Sequence, residues 1–314
     1  MQNSWVKKGL IYMPSGNLDW SRSHAQVPVP DFDPASNTIK IYFSTRDAEG
    51  RSHPGFVIVD ADDPKKIIET AQQPILELGK RGMFDDCGVM PSWIVNHQGK
   101  KYMYYIGWNV RNTIPYHNAV GLAISEDNGL TWRKFSEGPV MERNYIEPQY
   151  SGTSCVLIEN GVWKNWYLSC TEWRMVDGKA EPRYHIKYAE SKNGIDWERN
   201  GTVAIDYTDD GEAGIVKASV LKENGIYKMW FSYRRFENYR TDGKNAYKIG
   251  YAESADGIKW ERKNVDGLLD ANREEWESLM TAYPHVTDIK GRRMMFYNGN
   301  GFGKSGFGYA EAQI

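Results

Sequence analysis

The 314-residue sequence has no apolar run near the roughly 20 residues that a membrane-spanning helix needs, so we expect no transmembrane segment. The first residues, MQNSWVKKGLIYMP, lack the apolar core and small-residue cleavage site of a secretion signal. The three cysteines, Cys87, Cys155 and Cys170, are isolated and odd in number, which disfavours a disulfide framework and suits a reducing compartment. These absences predict a cytoplasmic protein.

Excess charge and metal-binding motifs are also absent. The formal net charge is −2 and the sequence pI is about 6.3, which gives no electrostatic case for a nucleic-acid or membrane-surface partner. No CxxC or HExxH pattern occurs. We therefore predict no metal site and no cofactor.

What the sequence does contain is an internal repeat. An aromatic pair flanked by strand-forming residues occurs five times, and its second aromatic residue recurs at intervals of 62 to 66 residues: Phe43, Tyr105, Tyr167, Phe231 and Tyr297. Related segments follow three of these pairs: GLAISEDNGLTWRK (121–134), IKYAESKNGIDWERN (186–200) and IGYAESADGIKWERK (249–263). A fixed period of this kind marks an architecture in which each unit buries its apolar face against its neighbours.

The segments within each repeat predict strands. They are short, rich in Val, Ile, Tyr, Trp and Phe, and separated by Gly, Asn and Asp turns. About sixty residues accommodate about four strands of 5–6 residues, and radial repetition of four-stranded units gives a β-propeller.

The two ends of the chain complement each other. The fifth repeat stops one strand short, while residues 5–13 open with the Trp-x-Lys/Arg pattern that closes the third and fourth repeats. Pairing of the two ends would remove an exposed sheet edge. We therefore predict a single all-β domain, a five-bladed β-propeller closed by the N-terminal strand, with residues 5–13 as the outer strand of blade five. The predicted blades span about 22–80, 81–145, 146–207, 208–270 and 271–314.

Acidic residues precede the predicted inner strands at the same period. Glu147, Glu212 and Glu277 recur at 65-residue intervals, and Asp85 and Asp86 occupy nearly the same place in the second blade. Carboxylates that converge on one channel mouth raise the pKa of at least one member, and a pair of them supports acid–base glycosyl chemistry. We predict Asp86, Glu147, Glu212 and Glu277 as catalytic residues, with retention or inversion left open. The alternative is that these acids cap turns or pair with arginines.

Cations, amides and aromatic rings are expected near the same mouth. Arginine recognises phosphate and carboxylate groups in a bidentate manner, and aromatic rings stack on the apolar faces of sugars. The predicted substrate-binding residues are His24, Arg46, Trp108, Lys217, Arg234, Tyr283, His285, Asn298 and Asn300. This set favours an anionic or heavily hydroxylated ligand.

Two resemblances follow from these motifs. SEDNGLTW (125–132) matches the Asp-box of sialidases, a structural turn, although sialidases have six blades. The whole chain resembles the five-bladed propeller glycosidase superfamily that includes glycoside hydrolase families 43, 32, 117 and 130, through its blade number, its N-terminal closure and its GLAxSxDG-type strand ends. The resemblance implies Asp86 as transition-state stabiliser and Glu147 as general acid. Blade one departs from it, because His24 and Gln26 stand where an aspartate base is expected.

The superfamily offers two further expectations. Family 130 phosphorylases use no protein base, because phosphate attacks directly and basic residues hold it; Arg46, Lys217 and His285 would suit that role. Some family 43 relatives carry a calcium ion on the propeller axis, and the resemblance allows such an ion here.

Three hypotheses for function remain open. The leading one is a glycoside hydrolase-like enzyme acting at an anomeric centre, with Glu147 as acid, Asp86 assisting, and Glu212 and Glu277 as base or hydroxyl ligands. The second is a non-hydrolytic propeller that binds or processes a nucleotide sugar or sugar phosphate in polysaccharide biosynthesis. The third is a binding or scaffold propeller. The expected partner in the first two is a small sugar ligand, with no nucleic acid and no membrane.

Overall fold

The computed structural model describes residues 4–263, 268–269 and 274–313, and nearly all of its regular structure is β. The first strand is β1 (Trp5–Tyr12). The other described strands fall into five consecutive groups, called units 1 to 5. Unit 1 holds β2 (Ser23–Asp33), β3 (Thr38–Arg46), β4 (Ser52–Asp60) and β5 (Ile67–Thr70). Unit 2 holds β6 (Gly88–His97), β7 (Lys100–Val110), β8 (Tyr116–Ser125) and β9 (Arg133–Lys134).

The later units follow the same plan. Unit 3 holds β10 (Ser151–Glu159), β11 (Val162–Val176), β12 (Lys179–Ser191), β13 (Trp197–Glu198) and β14 (Val203–Ile205). Unit 4 holds β15 (Glu212–Glu223), β16 (Ile226–Arg235), β17 (Lys248–Ser254) and β18 (Glu261–Lys263). Unit 5 holds a 3₁₀ turn (Glu275–Glu277), β19 (Ala282–Ile289), β20 (Arg292–Asn298), a short helical turn α1 (Asn300–Gly303) and β21 (Phe307–Ala312). Within the described ranges, no helix is long and apolar enough to cross a membrane.

Antiparallel pairing orders the strands within every unit, and each unit lies inside one range predicted as a blade. β1 pairs antiparallel with β21, from Trp5 opposite Ala312 to Tyr12 opposite Phe307, which is the pairing expected for residues 5–13. The first strand of each unit is called its inner strand and the second its middle strand. The inner strands contact one another in a cycle, β2 to β6, β10, β15, β19 and back to β2.

The repeated tryptophans form the seams between units. In four cases an aromatic ring of a middle strand packs edge-to-face against a tryptophan of the next unit, with ring centroids 5.7 to 6.1 Å apart. The pairs are Tyr42–Trp132, Tyr104–Trp197, Trp166–Trp260 and Trp230–Trp5. Edge-to-face packing is favourable because the positive ring edge meets the negative ring face. This packing explains why tryptophan recurs at the first position of the Trp-x-Lys/Arg motif.

The glycines of the Asp-box-like turns join the same seams. Tyr104 Oη donates to the carbonyl of Gly194 at 2.7 Å, and Trp166 Nε1 donates to that of Gly257 at 2.7 Å. Both glycines have positive φ, at 72° and 77°. Because that backbone conformation is unfavourable for residues with a Cβ, glycine recurs at these turns.

The inner strands carry a bulge close to the axis. Three bulge residues, Val27, Lys217 and Tyr283, have φ of 56° to 57°, which is strained for bulky side chains. The bulge frees their backbone N–H groups from the ladder, and in each case a side-chain oxygen of the preceding unit accepts the hydrogen bond. The three bonds are Val27 N to Asn298 Oδ1, Lys217 N to Thr153 Oγ1 and Tyr283 N to Ser232 Oγ. These hydrogen bonds between units therefore offset the backbone strain at the three bulge residues.

Candidate functional site

One cavity of 410 Å³ lies at the end of the molecule where the inner strands begin and the middle strands end. All five units contribute to its lining. Gln26, Met90 and Tyr283 come from the starts of inner strands, while Arg46 and Trp108 come from the ends of middle strands. Ligands of propellers and other closed folds bind in such openings, because loops and strand ends converge there.

Aromatic side chains make up much of the cavity wall. Tyr247 packs against Tyr283 with ring centroids 5.5 Å apart and against Phe302 at 6.1 Å. The aromatic lining residues are Trp108, Tyr116, Tyr184, Tyr239, Tyr247, Tyr283 and Phe302. Such a wall provides flat apolar faces on which sugar rings stack.

Arg234 is the most unusual residue of this wall. Its side chain is 2 % exposed, and its guanidinium lies 3.9 Å from the ring centroid of Tyr239. It donates to the carbonyls of Pro182 and Arg235 and to Tyr184 Oη, and among the described residues no carboxylate pairs with it. Burial of an unpaired cation is costly, so a charge held in this way is suited to an anionic ligand.

Arg46 is the second unpaired guanidinium. Its Nε donates to Gln26 Oε1 at 3.1 Å, and no described carboxylate forms an ion pair with it. Burial raises the pKa of Tyr283, and the Arg234 and Arg46 charges both oppose that rise. Both arginines line the same cavity as Tyr283, and both charges influence the titration of its hydroxyl.

Arg240 differs because it is neutralised. It forms two hydrogen bonds with Glu181, at 2.5 and 3.2 Å, and Tyr239 Oη donates to the same carboxylate at 2.7 Å. Although burial opposes the effect, these hydrogen bonds lower the pKa of Glu181. Arg240 lines the cavity but Glu181 does not, and no Asp or Glu belongs to the described lining of the cavity.

The predicted catalytic glutamates lie inside the units, in ion pairs. Glu147 is 2 % exposed and contacts Arg199 at 3.1 Å, Lys187 at 3.4 Å and Tyr167 Oη at 2.6 Å. Glu212 is held by Arg262, with two bonds of 2.8 Å.

Glu277 and the acids of unit 2 complete this pattern. Glu277 lies 3.0 Å from Lys7, and Asp85 lies 2.6 Å from Lys134. Asp86 accepts hydrogen bonds from Gly82 N and Cys87 Sγ in the turn before β6. The geometry corresponds to the alternative interpretation of these acids, as ion-pair and turn residues.

A periodic sequence signal accompanies these ion pairs. The cation in each pair stands two residues after the seam tryptophan: Lys134 after Trp132, Arg199 after Trp197, Arg262 after Trp260 and Lys7 after Trp5. The acid and the Trp-x-Lys/Arg motif thus form one repeated structural element, which ties the entrance of the inner strand to the outer strand of the same unit.

The nine predicted binding residues divide into four groups. Arg46, Trp108, Arg234 and Tyr283 line the cavity. His24 is half-buried beside Ser23 at the start of β2, and burial, together with Arg46 and Lys304, lowers its pKa to about 4. Lys217 and His285 are buried on the inner strands β15 and β19, whereas Asn298 and Asn300 bind backbone groups.

The two asparagines were expected to bind substrate, but the structure gives their polar atoms other partners. Asn298 accepts from Val27 N at 2.7 Å and donates to the carbonyls of Ala25 and Gly306. Asn300 accepts from Leu279 N and Met280 N. Asn298 is also fully buried, so it presents no polar atom to a ligand in the cavity.

We expect Asn298→Ala to destabilise the protein without weakening ligand binding. The substitution leaves the buried Val27 N–H without an acceptor at a strained position, which costs about 1–3 kcal/mol. Thermal unfolding of the variant checks this. A normal melting temperature together with lost ligand affinity would restore the substrate-binding prediction.

Several lining residues were missed by the sequence analysis. Tyr239, Arg240 and Tyr247 belong to the connection between β16 and β17, and Tyr184 lies within the long strand β12. None of them repeats in the other units at a recognisable spacing. The unusual length of the connection at 236–247 was the one available signal.

No family model matches the chain. Two curated proteins of Mycobacterium tuberculosis, the uncharacterized proteins MT1551 (strain CDC 1551 / Oshkosh) and Rv1502 (strain ATCC 25618 / H37Rv), are 38% identical over 307 residues, covering 98% of this protein and 98% of each relative. Among solved structures, BT0996 in an RGII complex has a TM-score of 0.72 at 17% identity, covering 99% of this protein and 91% of that one.

Two further solved structures belong to numbered glycoside hydrolase families. A thermostable family-43 glycoside hydrolase has a TM-score of 0.63 at 15% identity, covering 93% of this protein and 89% of that one. The Bombyx mori family-32 β-fructofuranosidase BmSUC1 has a TM-score of 0.61 at 14% identity, covering 100% and 62%. Identities this low establish the fold alone. The chain therefore belongs to the same family as the two mycobacterial proteins, and its fold is like that of these glycoside hydrolase structures.

Proposed function

We propose that this protein is a carbohydrate-active propeller whose cavity binds an anionic saccharide, such as a sugar phosphate or the diphosphate of a nucleotide sugar. The observation that carries the proposal is the pair of unpaired guanidiniums, Arg46 and Arg234, in a cavity without a described acidic lining residue. Arginine is the side chain best suited to phosphate, because its planar fork donates two parallel hydrogen bonds.

The structure around Arg234 supports recognition by a preformed site. Two backbone carbonyls and the Tyr184 hydroxyl already fix the guanidinium, so little side-chain entropy is lost when an anion binds. The sugar portion would stack on the ring of Trp108 or Tyr283, which line the same cavity as the two arginines. The ligand is thus held by its charge at one end and by its apolar face at the other.

We also propose that units 1 to 5 are the blades of a five-bladed propeller. The cyclic contacts of the five inner strands and the pairing of β1 with β21 support this arrangement. In such a ring the cavity stands at one end of the axis, and the chain termini share the last blade. Ring closure also leaves only short outer edges exposed.

Glycoside hydrolysis is the second candidate, favoured by the glycosidase fold of the solved neighbours. It would use Glu147 as acid, assisted by Asp86, with Glu212 and Glu277 as base or hydroxyl ligands. Hydrolysis needs two carboxyl groups that flank the scissile bond. The ion pairs of Glu147, Glu212 and Glu277 instead favour the binding proposal, and the Glu147 variant considered in the Discussion separates the two.

The binding proposal predicts that Arg46→Met weakens the affinity for sugar phosphates by about 10- to 150-fold. Loss of a hydrogen-bonding cation corresponds to about 1.5–3 kcal/mol. Isothermal titration calorimetry with a hexose 1-phosphate, a nucleoside diphosphate sugar and the matching neutral hexose would measure it. The matched control is Arg22→Met, an exposed arginine of the same unit that pairs with Asp19. Equal binding of neutral and anionic sugars, or unchanged affinity in Arg46→Met, would refute the proposal.

A further inference from the structure

Lys217 is buried on the axis without a hydrogen-bonding partner. It lies on the inner strand β15, its side chain is 0 % exposed, and its Nζ finds no acceptor among the described residues. The ammonium instead lies 4.8 Å from the ring centroid of Trp93 on β6. The His285 ring of β19 stacks on the same indole, with centroids 4.3 Å apart. Three side chains from three units thus pack together in the core.

No described carboxylate compensates this charge. The titratable groups that face Lys217 are Cys155 on β10 and His285 on β19, and the Nδ1 atom of His285 also lacks a partner. β16, the strand paired with β15, carries Arg234 at its cavity end. The acids at the opposite ends of β10 and β19, Glu159 and Asp288, are paired with other cations.

Two of the three strands that carry this cluster, β6 and β19, also carry residues of the cavity lining. Tyr283, which lines the cavity, occupies the same bulge position on β19 that Lys217 occupies on β15. Met90, another lining residue, precedes Trp93 by three positions on β6, which corresponds to about 10 Å along a strand. By this spacing, the cluster of Trp93 and Lys217 lies on the order of 10 Å from the cavity lining.

An axial calcium ion does not fit these residues. A metal cation on the axis would meet the Lys217 ammonium and the face of Trp93, and the described residues include no group of three His, Cys, Asp or Glu side chains that could hold a metal. The Lys217 ammonium already supplies the positive charge at this place.

We propose that the Lys217 ammonium is a buried, fixed positive charge that strengthens anion binding in the cavity above it. This inference rests on the proposed function and names a positioning residue for the same ligand. A unit charge about 10 Å from an anion, at an effective dielectric constant of about 20, changes affinity by about tenfold. The role also explains why an otherwise costly unpaired charge is held in the core.

Protonation of Lys217 makes the proposal testable by pH. Burial, opposed by Cys155, lowers the pKa of Lys217 to about 8. The neighbours titrate elsewhere: burial lowers the pKa of His285 well below its usual value and raises that of Cys155 to about 12. Anion affinity should therefore fall as the pH rises through about 8.

Sulfate is the appropriate probe, because it mimics phosphate and keeps its charge across the neutral and mildly alkaline range. We expect its Kd for the wild type to rise about tenfold between about pH 7 and about pH 9.5 at constant ionic strength. In Lys217→Met, the Kd at neutral pH should already be about tenfold higher and should not change with pH. The control Lys222→Met removes an exposed lysine of the same strand, which pairs with Glu159, and should behave as the wild type.

The outcomes separate this inference from the proposed function. Absence of sulfate binding to the wild type at neutral pH would refute the proposed function. Sulfate binding that is equal in Lys217→Met, or pH-independent in the wild type, would refute only the role of Lys217. Tryptophan fluorescence adds a readout without ligand: the wild type should show a transition near pH 8 that Lys217→Met lacks, because the ammonium lies against Trp93.

Discussion

Glu147→Gln is expected to lower the free energy of unfolding by about 3–5 kcal/mol, because it removes one partner of a buried ion pair. Glu147 is 2 % exposed and faces two cations, Arg199 and Lys187. A neutral amide would leave both of them without a counter-charge. It would also bring its NH₂ group close to two positive groups, so the variant loses attraction and gains repulsion.

Chemical denaturation at neutral pH, with an activity screen on chromogenic glycosides, measures this effect. Glu126→Gln is the matched control, because Glu126 pairs with Lys100 at the surface and should contribute less than about 1 kcal/mol. If Glu147→Gln unfolds like the wild type but abolishes glycoside turnover, the glutamate is the general acid and the structural interpretation is wrong. Loss of stability in a protein that still binds sugar phosphates would support the ion-pair role.

Lys217→Met is expected to act in the opposite direction and to stabilise the protein by about 3 kcal/mol at neutral pH. In the folded wild type, burial lowers the pKa of Lys217 from 10.5 to about 8. Below that pH both the folded and unfolded chains hold the proton, so the wild type carries the full cost of the buried charge. Methionine has a similar length and no charge, so that cost disappears.

The pH dependence distinguishes this cause from improved packing. Between pH 8 and 10.5 the folded wild type releases its proton while the unfolded chain keeps it, so wild-type stability rises with pH relative to Lys217→Met. Above pH 10.5 both states are neutral, and the gain of the variant should vanish. A gain that stays constant across this whole range would show that the ammonium is not the source. No gain at neutral pH would show that another group already neutralises it.

The two variants concern two classes of residue, those that recur in every repeat and those that would bind a ligand. The acids at 147, 212 and 277 recur together with the cations that follow the seam tryptophans, and each acid is paired with one of those cations. Their period made them conspicuous in the sequence and suggested a shared active site. A ligand has no fivefold symmetry, however, so its contacts come from positions that share a place in the fold but differ in residue type.

The ends of the middle strands show this difference directly. Strand pairing gives Arg46, Trp108 and Arg234 equivalent places in units 1, 2 and 4, and all three line the cavity. The sequence analysis predicted Arg46 and Arg234 from their equivalent places after the aromatic pairs, and Trp108 as an aromatic ring that stacks on a sugar. It also predicted Asn300 from the corresponding place in unit 5, where the chain turns away and the amide binds backbone instead.

The repeat, the strand-rich units and the pairing of the two chain ends could all be predicted from the order of residues, because they depend on periodicity and on turn residues close together in the chain. Both halves of each ion pair were also present, at matching periods. Which charges are neutralised depends instead on tertiary contacts. Glu147 and Arg199 meet because β10 and the outer edge of unit 3 fold together, whereas Arg234 packs against three tyrosines and forms no ion pair with a described acid. Whether a charge is paired depends on distances in space, which the spacing of residues along the chain does not specify, and that pairing decides whether a residue supports the fold or is left to bind a ligand.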